Sequence, residues 1–125
     1  MRVEGSGHQC RTFLFTGDVV HAVDIVRREG TLGQVYNIGG DKEHTVLEVA
    51  ETVLRVLRPG EAPSDWLEFV ADRPFNDQRY CVDRTKLLAL GWLQEVNLED
   101  AIRAIAGAHA PGSPALSPLL TPLPD

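Results

Sequence analysis

Cysteine is scarce. Only Cys10 and Cys81 occur in the 125 residues, and neither belongs to a Cys-x-x-Cys pair. A disulfide framework and a zinc ribbon are excluded, and His8-x-Cys10 is too short to suggest a metal site, so two thiols of no metal-binding consequence are expected. No apolar run approaches the roughly 20 residues that cross a bilayer, so no membrane partner is expected. Positive charge is also short: 12 Lys and Arg stand against 18 Asp and Glu, a net charge of −6. Binding to a nucleic-acid backbone needs a basic surface, so no nucleic acid is expected as a partner. Met1 to Gly5 has no apolar h-region, and a cytoplasmic location follows as the default expectation.

Familiar catalytic patterns are missing as well. No Gly-x-Gly-x-x-Gly turn follows a strand and opens a helix, and Gly5-Ser6-Gly7 has neither neighbour. There is no Tyr-x-x-x-Lys pair: Tyr36 is followed four residues later by Gly40, and Tyr80 by Arg84. No Gly-x-Ser-x-Gly elbow or phosphate-binding loop of the Walker type is present. Acid pairs such as Glu48 with Glu51, or Asp72 with Asp77, read as an exposed helix face and as loop residues that orient arginines. No catalytic residue is assigned, and this chain alone is expected to bind no cofactor.

What is present is one small α/β domain. A chain of this length holds a modest core, and 43% hydrophobic with 24% charged residues is a globular balance. Residues 1–9 read as a loop and Arg11-Thr12-Phe13-Leu14-Phe15 as a short strand. Asp18 is placed to cap a helix carrying Val19, Val20, Ala22, Val23, Ile25 and Val26, with Arg27 and Arg28 in its last turn. Gln34 to Ile38 is a second strand candidate. Thr45-x-x-Glu48 has capping-box spacing before a helix with Leu47, Ala50, Val53, Leu54 and Leu57 on one face. Trp66 to Val70 is a third strand candidate, and Asp72 to Tyr80 a loop. Asp83 is placed to cap a short helix ending at Gly91, and Asn97 a last helix to about Ala106. Residues 111–125 hold five of the eight prolines and a single charge, and are expected to form a disordered tail beyond a domain at 1–110.

Two segments look like a binding site: Gly7 to Ala22 and Asp72 to Tyr80. Each places arginine among residues that make poor core, and the planar guanidinium fork suits bidentate contact with phosphate. Asn76 and Asp77 offer hydrogen bonds suited to a ribose hydroxyl or a base edge. The competing reading is that Arg11, Arg73 and Arg79 are surface arginines paired with Asp18, Asp72 and Asp77.

The same segments carry a resemblance. Arg11-x-Phe13-Leu14-Phe15-x-x-Asp18-x-x-x-Ala22, Tyr36-Asn37-Ile38-Gly39-Gly40, Asp72-Arg73-Pro74 with Asp77-x-Arg79-Tyr80, and Leu90-Gly91-Trp92 occur in one order over roughly residues 5 to 106. Together they resemble the C-terminal part of the nucleotide-sugar 4,6-dehydratases, in the extended branch of the short-chain dehydrogenase/reductase superfamily. Tyr-Asn-Ile-Gly is widely shared among sugar epimerases and dehydratases, whereas the Asp-Arg-Pro-x-x-Asp-x-Arg-Tyr loop is characteristic of the dehydratases. The resemblance implies a substrate-binding piece of a Rossmann-type dehydratase, with short strands and three or four helices. It implies that Arg11 and Arg73 lie near a nucleoside diphosphate and that Phe75, Asn76 and Asp77 line the nucleoside end. Val46 stands where thymidine-type enzymes carry an asparagine contact. The full-length enzyme would be a homodimer using NAD to convert UDP-glucose or dTDP-glucose to the 4-keto-6-deoxy sugar, and its dinucleotide-binding half would lie upstream of Met1. A noncatalytic interaction module, and an epimerase or decarboxylase of the same superfamily, are the alternatives.

Overall fold

The computed structural model describes residues 1–109, so the tail expected at 111–125 lies outside the described residues. The order of elements is β1 (Arg2–Glu4), β2 (Cys10–Thr12), α1 (Thr16–Glu29), β3 (Glu43–Thr45), α2 (Val46–Leu57), a 3₁₀ turn (Pro63–Trp66), β4 (Glu68–Val70), α3 (Thr85–Ala89) and α4 (Leu98–Ala108). This is the small α/β piece expected, with four α-helices and short strands.

The strands form two ribbons. β1 pairs in parallel with β4, with Val3 opposite Phe69, and β2 pairs antiparallel with β3, with Arg11 opposite His44. Several of these segments differ from expectation. Residues 1–9 are not all loop: Arg2–Glu4 is a strand whose Val3 is buried. Its partner lies 66 residues along the chain, and one buried valine in three residues leaves no period to read. The strand expected at Arg11 to Phe15 is Cys10–Thr12, because Phe15 already occupies the N-cap of α1. Trp66 ends the 3₁₀ turn, and the strand there begins at Glu68. β3, a polar Glu-His-Thr triplet, has no sequence signal. Gln34 to Ile38 forms no strand. Among the described residues Val35 to Ile38 make no backbone hydrogen bond to another backbone group, and a strand exists only in relation to a neighbour. The glycines that follow serve close packing instead: a side chain on Gly40 would begin 2.8 Å from the Phe13 carbonyl oxygen.

Helix ends follow local chemistry where the sequence signals it strongly. Thr45 and Glu48 form the capping box: Thr45 Oγ1 accepts from the Glu48 amide at 3.0 Å, and the Thr45 amide donates to Glu48 Oε2 at 2.9 Å. Thr45→Ala should cost about 0.5–2 kcal/mol, read as a lowered thermal midpoint by circular dichroism, while Thr45→Ser stays close to the parent. Asn97 Oδ1 accepts from the Asp100 amide at 2.9 Å, as the sequence indicates. Asp83 sits one residue before the N-cap of α3, yet its Oδ1 still accepts from the Thr85 amide at 2.9 Å.

Asp18 is not a cap. It lies in the first turn of α1, buried, where its carboxylate accepts from the Glu95 and Val96 amides at 3.2 Å each. Its carbonyl accepts from Trp92 Nε1 at 3.0 Å. A buried carboxylate needs donors, and the segment leading into α4 supplies them. This clasp closes over the core cluster of Ala22, Leu87 and Trp92, flanked by Leu14, Ile25, Val26 and Ile38. The apolar stripe of α1 is broader than the face it buries, which leaves Val20 and Val23 exposed. Likewise Ala50 and Leu54 of α2 are buried while Leu57 is exposed. No described helix is long and apolar enough to cross a membrane.

Candidate functional site: an arginine-lined cleft

The loop from Asp72 to Tyr80 lies against the two ribbons. Gly5 N–H donates to the Val70 carbonyl at 2.9 Å, and Cys10 N–H donates to the Gln78 carbonyl at 2.8 Å. A parallel bridge joins Cys10 to Arg79. At Gly5 the approach is so close that a Cβ would sit 2.7 Å from Asp72 Oδ2, and the backbone there has φ of +61°. Glycine meets both demands.

This stitching brings two distant segments into one cleft of about 390 Å³, lined by Arg2, Glu4, Gln9, Arg11, Val46, Val70, Arg73 and Asn76. Of the five residues singled out in the sequence, Arg11, Arg73 and Asn76 converge here. Phe75 and Asp77 do not line it. Phe75 projects almost wholly into solvent, 97% exposed. Asp77 turns its carboxylate to the Tyr80 hydroxyl, which raises the Tyr80 pKa above its ordinary value, chiefly through that hydrogen bond. Arg2, Glu4 and Gln9 were not singled out. The spacing of Gln9 and Arg11, two apart on an extended segment and so on one face, is the signal that would have found Gln9.

The arginines have partners, but not those expected of surface pairs. Arg11 Nη1 donates to its neighbour's carbonyl, Cys10, and Nη2 to the Asp77 carbonyl, both at 2.7 Å; its guanidinium stacks 4.5 Å from the Tyr80 ring centre. Asp18 is turned toward α4 instead, as described above. Arg73 Nε contacts Glu4 Oε2 at 2.8 Å, and Nη2 donates to Asn76 Oδ1 at 3.2 Å. Asp72 receives the Arg73 backbone amide at 2.8 Å rather than its side chain. Arg79 reaches Glu43 through two parallel bonds of 2.6 and 2.7 Å, not Asp77. That fork holds the Glu43 carboxyl below its usual range and pushes the Arg79 pKa up, each mainly through the shared hydrogen bonds. Since Glu43 titrates lower in the folded state, the contribution of this pair is present above the ordinary carboxylate range and is lost as pH falls through the depressed value.

No group of three or more metal-ligating side chains gathers among the described residues, and both thiols are free. The turn at Gly5-Ser6-Gly7 joins β1 to β2 rather than a strand to a helix, and the space its glycines leave is filled by Asp72, Val3 and Leu47. These residues do not fit the pyrophosphate of a dinucleotide, which needs backbone amides at a helix start.

No protein-family model matches the chain. Individual proteins do. It is 39% identical over 101 residues to a trifunctional UDP-glucose 4,6-dehydratase/UDP-4-keto-6-deoxy-D-glucose 3,5-epimerase/UDP-4-keto-L-rhamnose-reductase of Arabidopsis thaliana, covering 81% of this chain and 15% of that protein. It is 36% identical over 104 residues to the dTDP-D-glucose 4,6-dehydratase of Mus musculus, covering 81% of this chain and 29% of that one. The solved dTDP-glucose 4,6-dehydratase of Streptomyces venezuelae, in a structure with NAD bound, superimposes with a TM-score of 0.72 at 31% identity, over 82% of this chain and 31% of that chain. The chain is homologous to the C-terminal part of the nucleotide-sugar 4,6-dehydratases. As a dehydratase homologue it spans a third or less of the length of these relatives.

Proposed function

We propose that this chain is the nucleoside-diphosphate-holding part of a nucleotide-sugar 4,6-dehydratase. One observation carries the reading: Arg11, Arg73 and Asn76, from segments more than 60 residues apart, line a single cleft. A cleft with three guanidinium groups and one carboxylate suits a dianion, and charge-assisted forks give it orientation as well as affinity. Holding the diphosphate fixes the sugar in space, which lowers the barrier by positioning rather than by bond-making. In the whole enzyme NAD, held by the other part, would supply hydride transfer. Cytoplasmic location and a homodimeric whole enzyme accompany this reading, as does a preference for uridine over thymidine nucleotides. The preference is supported by the likeness of the 73–80 loop to rhamnose-synthase dehydratases and by apolar Val46 in the cleft lining.

A second reading has its own support. Both arginines already have partners within the chain, and such bonds suit a folding module with no ligand at all. Calorimetric titration separates the two. UDP should bind saturably at one site, more weakly as salt rises, while uridine gives no heat. With UDP-glucose and NAD supplied, the chain alone should form no 4-keto product. Failure of UDP to bind would leave the folding-module reading standing, and 4-keto product above a blank would overturn the division of labour.

A further inference from the structure

We propose that Gln9 is a positioning residue for Arg73, acting through Asp72; this rests on the diphosphate reading above. Gln9 is 4% exposed, a depth at which glutamine is uncommon. Its Nε2 donates to the Glu4 carbonyl and to Asp72 Oδ2, each at 3.3 Å. Asp72 uses its other oxygen, Oδ1, to accept from the Arg73 amide at 2.8 Å and from Asn76 Nδ2 at 2.7 Å. Asn76 Oδ1 then accepts from Arg73 Nη2 at 3.2 Å. The bonds run from the β1–β2 segment through one carboxylate to both ends of Arg73, its backbone and its guanidinium. Gly5 admits the Asp72 carboxylate at the point where a side chain would exclude it.

The carbonyl oxygen of the same side chain argues that this arrangement is not there for stability. Gln9 Oε1 is buried and has no hydrogen-bond partner among the described residues. A buried acceptor without a donor works against folding, and methionine, of nearly the same shape, would fill the site without it. Glutamine in this place therefore makes sense for where its amide donors put Asp72, and through Asp72 the arginine. A residue kept only for packing would show the reverse: its loss would lower stability and leave the cleft alone.

The test uses the 125-residue chain, with UDP as probe and Gln9→Met as the variant. The thermal midpoint should stay close to that of the parent, the two lost Nε2 bonds being offset by removal of the unpartnered Oε1, while UDP binds about fivefold to twentyfold more weakly, the scale of a coupled pair. In an Arg73→Ala background the same substitution should change UDP binding less than about twofold, because the group it positions is gone. Hydrogen exchange of the Arg73 amide, measured without ligand, should be faster in Gln9→Met than in the parent. Parent-like UDP affinity, an equal loss with and without Arg73, or a clear fall in the midpoint would each overturn the proposal while leaving the diphosphate reading intact. Should the parent itself bind no UDP, the diphosphate reading fails, and exchange at the Arg73 amide decides by itself whether Gln9 positions the loop.

Discussion

Trp92→Ala should lower the stability of the fold by about 3–5 kcal/mol, the range for truncating a buried aromatic. Trp92 is 1% exposed and packs with Ala22 and Leu87, both fully buried. Few other side chains are buried to this degree, so the core has little to redistribute into the cavity. The indole also donates from Nε1 to the Asp18 carbonyl, and alanine leaves that carbonyl without its donor. A domain of this size has roughly 5–15 kcal/mol in total, so the variant forfeits a large share. Its thermal midpoint should fall by more than about 12 °C, at roughly 4 °C or more per kcal/mol. Trp92→Phe keeps much of the volume and loses the donor, and should fall between. Should Trp92→Ala melt within a few degrees of the parent, the Ala22–Leu87–Trp92 cluster is not the centre of the core.

The second large effect concerns the cleft. Arg73→Ala should raise the UDP dissociation constant roughly tenfold to a hundredfold, since hydrogen bonds to charged groups contribute about 1.5–3 kcal/mol each. Arg11→Ala should lose as much, with an added structural consequence. Arg11 ties β2 to the Asp77 carbonyl and stacks on Tyr80, so its removal also takes away two of the contacts that hold the 77–80 loop. Arg73 bonds to side chains only, Glu4 of β1 and Asn76 of its own loop, so its variant disturbs the backbone less. Lysine at either position should recover part of the affinity only, a point charge being unable to reproduce two parallel bonds. Arg55, which pairs with Glu99 across α2 and α4 at 3.2 Å, is the control, and Arg55→Ala should bind UDP as the parent does. If both cleft variants match the parent, the arginines serve the fold alone.

Local chemistry was legible in the sequence, and long-range pairing was not. Thr45-x-x-Glu48 and Asn97 with Asp100 satisfy amides three residues away, so their spacing is their structure. Asp18 shows the limit of that logic. A carboxylate at the head of a helix reads as a cap, yet burial beside the 92–96 segment gave it better donors. The three-residue strands are below the length at which alternation can be counted, and β1 and β4 find each other only in the folded chain. For the cleft, arginine in two polar segments leaves a surface-pair reading open, and it is the resemblance that brings Arg11, Arg73 and Asn76 forward together. The same resemblance implies Phe75 and Asp77, which do not line the cleft, because in a loop neighbours in sequence face different ways. Arg2 and Glu4 belong to a strand of only three residues, too short for periodicity to place them on the cleft face.

The Asp18 clasp has a consequence in time. Trp92, Glu95 and Val96 lie 74, 77 and 78 residues beyond the residue they bond. β1 meets its partner only at residues 68–70. As the polypeptide leaves the ribosome, helices α1 and α2 can flicker into being, but α1 waits for Leu87, Trp92 and the 95–96 segment, and α2 for α4, before each is covered. Closing loops of this length has to precede the contacts that reward it, which makes assembly of this unit late, abrupt and slow.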